Sequence, residues 1–472
     1  MTLLFQGVRF LTQVASLIIL SRLLSPRDIG LLAMVLAIVG LGDVIRELGL
    51  SQAAIQARTI NQAQKSNLFW INTGVGAGLT LLCIALAQPI ANFYGAPELV
   101  GITIGISAMF FINGLQTQFE AELGRSFRFV ILNLSEVLAL VFGAAAAITA
   151  ALLGAGYWAL VLQPIVQAVT LATIRIAAAR WWPSWWTRKA GVGPMLRYGS
   201  NLVLTQTLVY LSANVANIII GARLGAGALG IYSRSYQLLM MPLNQLFAPM
   251  TKVALPTLSR LQDDNARFSS YILRAQIILG YGAVGIFSCA VAAALPLIRL
   301  FLGEQWVQVA PIFSILAIGG CFQAISYVAY WIFLARGLTG SHFRYSLISR
   351  SLLIGAVLFG SIWGIEGIAI GYTIGLAIGW PLSIWWLNRA PDIPAAGLLA
   401  GGIRIYGLAA LSAAGGYAVQ LATAQWGDLL SASSAIAATV VLMAALAWAF
   451  PWNRRDMRQI LATIPHLRGR NA

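Results

Sequence analysis

The sequence predicts an all-α polytopic membrane protein of about 14 transmembrane helices, arranged as two pseudo-symmetric six-helix bundles facing a central cleft plus two C-terminal helices. Three observations carry that prediction. Hydrophobic residues make up 59% of the 472 residues and charged residues only 9%, with a mean hydropathy of +0.81, a balance that no soluble globular domain approaches. Apolar runs of about twenty residues recur throughout, the length a helix needs to cross a hydrocarbon core ~30 Å thick and twice that of a barrel strand. Landmarks of the first half also return, in the same order, about 200 residues further on.

The first six runs fall near residues 3–24, 29–48, 67–88, 99–118, 129–153 and 156–176. The next six fall near 199–221, 228–250, 273–296, 309–334, 346–363 and 366–387, and two more follow at 403–423 and 431–450. The first run carries Gln6, Arg9 and Gln13 and leads straight into another span, so it is kept as a span rather than a cleaved secretion signal. Between spans one and two lies Arg22-Leu-Leu-Ser-Pro-Arg-Asp-Ile-Gly30, where Pro26 and Gly30 predict a broken helix at an external turn. Arg223-Leu-Gly-Ala-Gly-Ala-Leu-Gly230 repeats it between spans seven and eight.

Pro89 to Gly95, ending Phe-Tyr-Gly, returns as Pro296 to Gly303, ending Phe-Leu-Gly, and Gly156-Tyr-Trp-Ala-Leu160 returns as Gly367-Ile-Ala-Ile-Gly371. An even number of spans separates each pair, so the halves share one orientation and are related by an axis along the membrane normal. The predicted domains are an N-terminal six-helix lobe (1–176), a cytoplasmic interfacial linker (177–198), a C-terminal six-helix lobe (199–390), and two extra helices with a basic cytoplasmic tail (391–472). In the linker, Trp181-Trp-Pro-Ser-Trp-Trp186 stands beside Arg180, Arg188 and Lys189, the composition of a membrane–water boundary.

A net charge of +16 and a pI near 10.3 would suit a nucleic-acid binder, but the distribution of the charge decides otherwise. With the N-terminus inside, most of the 30 Lys and Arg fall in cytoplasmic loops, Arg175 among them, and only Arg22, Arg27, Arg223, Arg234 and Arg299 fall outside. That asymmetry predicts cytoplasmic termini and no nucleic-acid partner. Cys83, Cys289 and Cys321 lie far apart in apolar segments, which suits neither a disulfide framework nor a metal cluster. No nucleophile–base pair, phosphate loop or metal spacing occurs, so neither an enzyme nor a cofactor is expected.

Polar residues within the spans are the remaining candidates for function. Gln6, Arg9, Gln13 and Ser16 share one face of span one. An intramembrane arginine costs ~3 kcal/mol on insertion scales, so Arg9 requires a cavity, a partner or the nearby interface. Asp43, Arg46 and Glu47 end span two, spaced for an internal ion pair or a cytoplasmic gate. Span seven offers Asn201, Thr205, Ser212, Asn214 and Asn217, and span eight offers Arg234, Gln237 and Asn244. Single amides are weak signals at ~0.6 kcal/mol each, but the stripes fall on equivalent helices of both halves. Glu136 and Glu366 stand isolated and read as structural.

The chain resembles the Wzx-type lipid-linked oligosaccharide flippases, in particular the colanic-acid exporter branch of the polysaccharide transport family. The likeness rests on Ser21 to Gly30, Gly49-Leu-Ser-Gln-Ala-Ala-Ile-Gln56, Ala222 to Tyr232, Pro256-Thr-Leu-Ser-Arg-Leu-Gln-Asp-Asp264 and Phe301-Leu-Gly-Glu-Gln-Trp306. It implies the multidrug/oligosaccharidyl-lipid/polysaccharide flippase fold, with a cleft lined by spans one, two, seven and eight. The implied function is to move undecaprenyl-diphosphate-linked repeat units from the cytoplasmic to the external leaflet of the bacterial inner membrane by alternating access. Membrane lipids and polysaccharide polymerase machinery are the implied partners.

On that reading Arg9, Gln13, Asn214, Arg234 and Gln237 are expected to meet the diphosphate and sugar head group, through charge-assisted contacts to phosphate oxygens. A drug or cation antiporter of the same superfold is the alternative, disfavoured by the scarcity of deep acids. A polymerase or ligase would need a large external loop, and none is present.

Overall fold

The computed structural model describes residues 2–47, 60–187, 193–389 and 393–468. Among them no strand forms, and sixteen helices are present. They are α1 (Thr2–Leu23), α2 (Pro26–Val39), α3 (Leu41–Glu47), α4 (Gln62–Tyr94), α5 (Glu98–Arg125), α6 (Phe129–Leu152), α7 (Trp158–Ala179) and α8 (Gly193–Arg260). They continue as α9 (Asn265–Ala292), α10 (Ala294–Phe301), α11 (Val309–Ala335), α12 (Thr339–Gly360), α13 (Gly364–Leu387), α14 (Ala395–Ala422), α15 (Asp428–Ala449) and α16 (Pro451–Arg468).

Among the described residues, twelve stretches are long and apolar enough to cross a membrane. Two of them, Val209–Phe247 and Thr339–Leu387, are double length. The first is broken at Gly225, whose φ of 82° and ψ of 178° interrupt α8 in a conformation open to glycine alone. The second is broken by the 3-10 turn Ser361–Trp363 between α12 and α13. Dividing each at its break recovers the fourteen spans expected.

The chain forms two compact units, Met1–Gly230 and Ile231–Ala472. In the first, α4 packs along α5, α6 along α7, α5 against α7, and α1 against α6. In the second, α12 packs along α13, α11 along α13, α14 along α15, and α9 against both α11 and α14. The C-terminal α16 is tied to its unit by Asp456, buried at 3% exposure, which accepts from the Tyr281 hydroxyl at 3.3 Å and faces Arg404 Nη2 at 3.7 Å. Burial raises the Asp456 carboxyl above its usual range, against the opposing pull of Arg404.

The stretch from Arg22 to Gly30 does break the helix, at Leu24 and Ser25 just before Pro26, but Gly30 takes no part in the break. Ser25 caps α2 by accepting from the Asp28 amide, while the Asp28 carboxylate accepts from the Ser25 amide, and Pro26 occupies the first turn. This reciprocal box with a leading proline begins a helix. Gly30 lies inside α2 and serves packing: a Cβ there would stand 1.7 Å from the Ala226 carbonyl oxygen. A Cβ on Gly230 would stand 1.8 Å from the Pro26 carbonyl oxygen. The two copies of the repeat therefore touch backbone to backbone, each glycine against the residue four before its counterpart, the reciprocity of a local twofold.

Candidate functional site: a charge network and a buried arginine

Within the first unit, polar groups of α1, α5, α6 and α7 converge on one buried arginine. Arg175 of α7 is 3% exposed. Its Nη1 donates to Gln116 Oε1 at 2.7 Å and to Glu120 Oε2 at 2.5 Å, both from α5, and its Nε donates to Ser135 Oγ of α6 at 3.3 Å. Its Nη2 stands 3.6 Å from Glu136 Oε1 of α6. The other Glu136 oxygen accepts from Arg9 Nη1 of α1 at 2.5 Å. Two arginines and two glutamates give a neutral set, which is how ionised groups persist in an apolar bundle.

The two arginines differ in how firmly they are held. Arg175 spends its guanidinium on partners from two helices at 4% side-chain exposure, whereas Arg9 has one carboxylate partner and 41% side-chain exposure. Arg175 is thus a fixed strut, and Arg9 keeps donors available to a ligand. Glu136, read from the sequence as isolated, is the member that touches both. Arg175, assigned by its position to a cytoplasmic loop, is instead a buried residue of α7.

The other residues singled out fall as follows. Gln13 lies on α1 and is exposed. Asp43 and Arg46 of α3 pair at 3.3 Å, and Arg46 Nη1 also donates to Thr117 Oγ1 of α5 at 3.0 Å. Glu47 ends α3, but its side chain lies outside the described residues, as do those of Asn201 and Thr205. The stretch Gly49–Gln56 and the linker cations Arg188 and Lys189 also lie outside them. Asn214 donates to the Tyr210 carbonyl at 3.1 Å and accepts from Asn217 at 3.0 Å.

In the second unit Arg234 is 6% exposed. Its Nη1 donates to Gln237 Oε1 at 2.7 Å, and its guanidinium carbon lies 5.8 Å from the centroid of the Trp306 ring, which is fully buried. Its Nε has no hydrogen-bond partner among the described residues. Neither does Arg234 form an ion pair there, although burial makes an unpaired guanidinium costly. The Phe301–Trp306 turn therefore supplies the aromatic platform beneath a cation.

The tryptophan linker lies along the start of α4 as an extended strap. Asn67 donates to the Thr187 carbonyl at 2.7 Å and accepts from the Thr187 amide at 2.9 Å. Ser66 Oγ accepts from the Ser184 amide at 2.9 Å, and Trp70 donates to the Ser184 carbonyl at 2.9 Å. Trp70 and Trp185 stack with centroids 6.2 Å apart.

A family model described as polysaccharide biosynthesis protein matches residues 19–311. The lipopolysaccharide biosynthesis protein WzxC of Escherichia coli (strain K12) is 24% identical over 371 residues, covering 76% of this chain and 73% of that protein. The succinoglycan biosynthesis transport protein ExoT of Rhizobium meliloti (strain 1021) is 24% identical, covering 76% of this chain and 72% of that protein. Among solved structures, the lipid II flippase MurJ in an inward closed conformation matches with a TM-score of 0.73 at 14% identity, covering 95% of this chain and 99% of that one. An inward-facing multidrug resistance MATE family transporter of the MOP superfamily matches with a TM-score of 0.63 at 16% identity, over 84% of this chain and 95% of that one. The protein is thus a multi-pass membrane protein with the fold shared by MurJ and MATE transporters, and it belongs to the family of polysaccharide biosynthesis proteins.

Proposed function

We propose that the protein is a flippase that carries an undecaprenyl-diphosphate-linked oligosaccharide from the cytoplasmic to the external leaflet of the bacterial inner membrane, by alternating access of its two lobes. The observation that carries this reading is Arg234: a buried guanidinium over Trp306 with an unpartnered Nε and no carboxylate counter-charge among the described residues. An anionic head group supplies that charge, and the guanidinium fork suits phosphate oxygens. The names of relatives concerned with lipopolysaccharide and succinoglycan biosynthesis agree with it.

In this reading Arg9 and Arg234 attract the diphosphate, Gln13, Asn214 and Gln237 meet the sugar, and the lipid tail stays in the bilayer. Asp43, Arg46 and Glu47 form the cytoplasmic gate. Both termini face the cytoplasm, and polysaccharide polymerase machinery takes the product outside. A cation antiporter would use free carboxylates, whereas Glu120, Glu136 and Asp43 each carry an arginine partner.

Complementation tests the reading. In a strain lacking its polysaccharide flippase, the wild-type protein is expected to restore surface polysaccharide. Arg9→Gln and Arg234→Gln are expected to abolish export at normal membrane abundance, and Arg9→Lys to restore part of it. Undiminished export by both Gln variants would remove these residues from the site.

A further inference from the structure

The pairing of Arg9 with Glu136 has a consequence for any anionic substrate that Arg9 must bind. The guanidinium carries one positive charge, and its Nη1 side is turned to the Glu136 carboxylate, so a phosphate that seeks the same charge and the same donor competes with Glu136 for it. We propose that Glu136 is a built-in competitor for the substrate's diphosphate, holding Arg9 in the unloaded protein and yielding it to phosphate on loading, with Arg175 as the positioning residue that keeps Glu136 in place. This rests on the flippase reading above and assigns a role to residues on which that reading does not depend.

The arrangement is suited to exchange rather than to permanent pairing. Glu136 has a second cation at its other oxygen, Arg175 Nη2 at 3.6 Å, so losing Arg9 does not leave a bare carboxylate in the bundle. Arg175 cannot follow a ligand, because Gln116, Glu120 and Ser135 already hold it. Arg9 is the exposed member of the set, with 41% of its side chain accessible. A diphosphate offers more charge and more acceptor oxygens than one carboxylate, which favours the exchange. When the diphosphate leaves, Glu136 recaptures Arg9 and resets the site.

The test uses the full-length protein in detergent and undecaprenyl diphosphate as the probe, with affinity read by intrinsic tryptophan fluorescence. Glu136→Gln is expected to bind the probe about fivefold more tightly, the factor that corresponds to losing a partly exposed ion pair. Export by the same variant is expected to fall, because release slows. In the Arg9→Gln background Glu136→Gln should no longer tighten binding. A purely structural role for Glu136 would lower thermal stability and leave affinity unchanged.

Should Glu136→Gln fail to fold, Glu136→Asp serves. It keeps a charge beside Arg175 but is one methylene short of Arg9, and it must shift affinity in the same direction. Probe binding by wild type with equal or weaker binding by the folded Glu136 variant overturns the competitor role alone. Failure of wild type to bind the probe overturns the flippase reading and the competitor role with it.

Discussion

Arg175 is the residue on which the first unit's polar interior depends. Removing it leaves Glu120 and Glu136 without their shared cation and Gln116 without its donor. Both glutamates are partly exposed, so Arg175→Ala is expected to destabilise by about 3 kcal/mol, the low end for breaking a buried pair. That loss should appear as a lower melting temperature of the detergent-purified protein, with Arg9→Ala, whose guanidinium is half exposed, costing distinctly less. The network was only partly visible in the sequence. The need of Arg9 for a partner follows from its place in an apolar span, but Glu136 lies 127 positions away, and periodicity says nothing about contacts at that range. Arg175 misled because a basic residue near the end of a span usually points to the interface.

At the level of elements, the repeated glycine stretches are contact surfaces. Gly30→Ala forces a Cβ against the Ala226 carbonyl and Gly230→Ala against that of Pro26, so each variant is expected to lose much of its folded yield. Gly74 of α4 is the control: a Cβ there meets nothing within 4 Å, and Gly74→Ala should be neutral or stabilising by about 0.5–1 kcal/mol. Size-exclusion profiles and melting temperatures of the three variants check this. A signal for the true helix start was present in the sequence, since Ser25-Pro-Arg-Asp28 before an apolar run is a capping box with a first-turn proline. Pro26 does mark the break between α1 and α2, whereas Gly30 lies inside α2.

The linker is a second element whose role comes from contacts. Its tryptophans signal an interface, but the strap is made by Gln62, Ser66, Asn67 and Trp70 of α4, and nothing in their spacing announces it. Asn67→Ala removes two of those hydrogen bonds and is expected to speed limited proteolysis near Ser184 without changing the helical content.

For the whole molecule, hydropathy alone was enough to place the spans, because a bilayer admits only helices of a narrow range of lengths. Even the two double-length stretches divide where glycine or a 3-10 turn breaks them. The repeat was legible because its glycines must be kept wherever backbones touch. The proposed head-group site is legible only as a list of polar positions, since a buried guanidinium such as Arg234 gains meaning from Trp306, Gln237 and an Nε with no partner among the described residues. The charge asymmetry also makes a global prediction: a reporter fused after Ala472 should be active only in its cytoplasmic form.

The central claim is translocation of a lipid-linked, diphosphate-bearing oligosaccharide, and reconstitution tests it most directly. Purified protein is placed in sealed vesicles with a fluorescent undecaprenyl-diphosphate oligosaccharide in both leaflets, and the fraction open to a membrane-impermeant quencher is followed with time. The account predicts that quenching proceeds beyond the outer-leaflet fraction at a rate set by the wild-type protein, and that Arg234→Gln vesicles stop at that fraction. Quenching that halts at the outer leaflet with the wild-type protein, in vesicles that do exchange a small organic cation for protons, would contradict it.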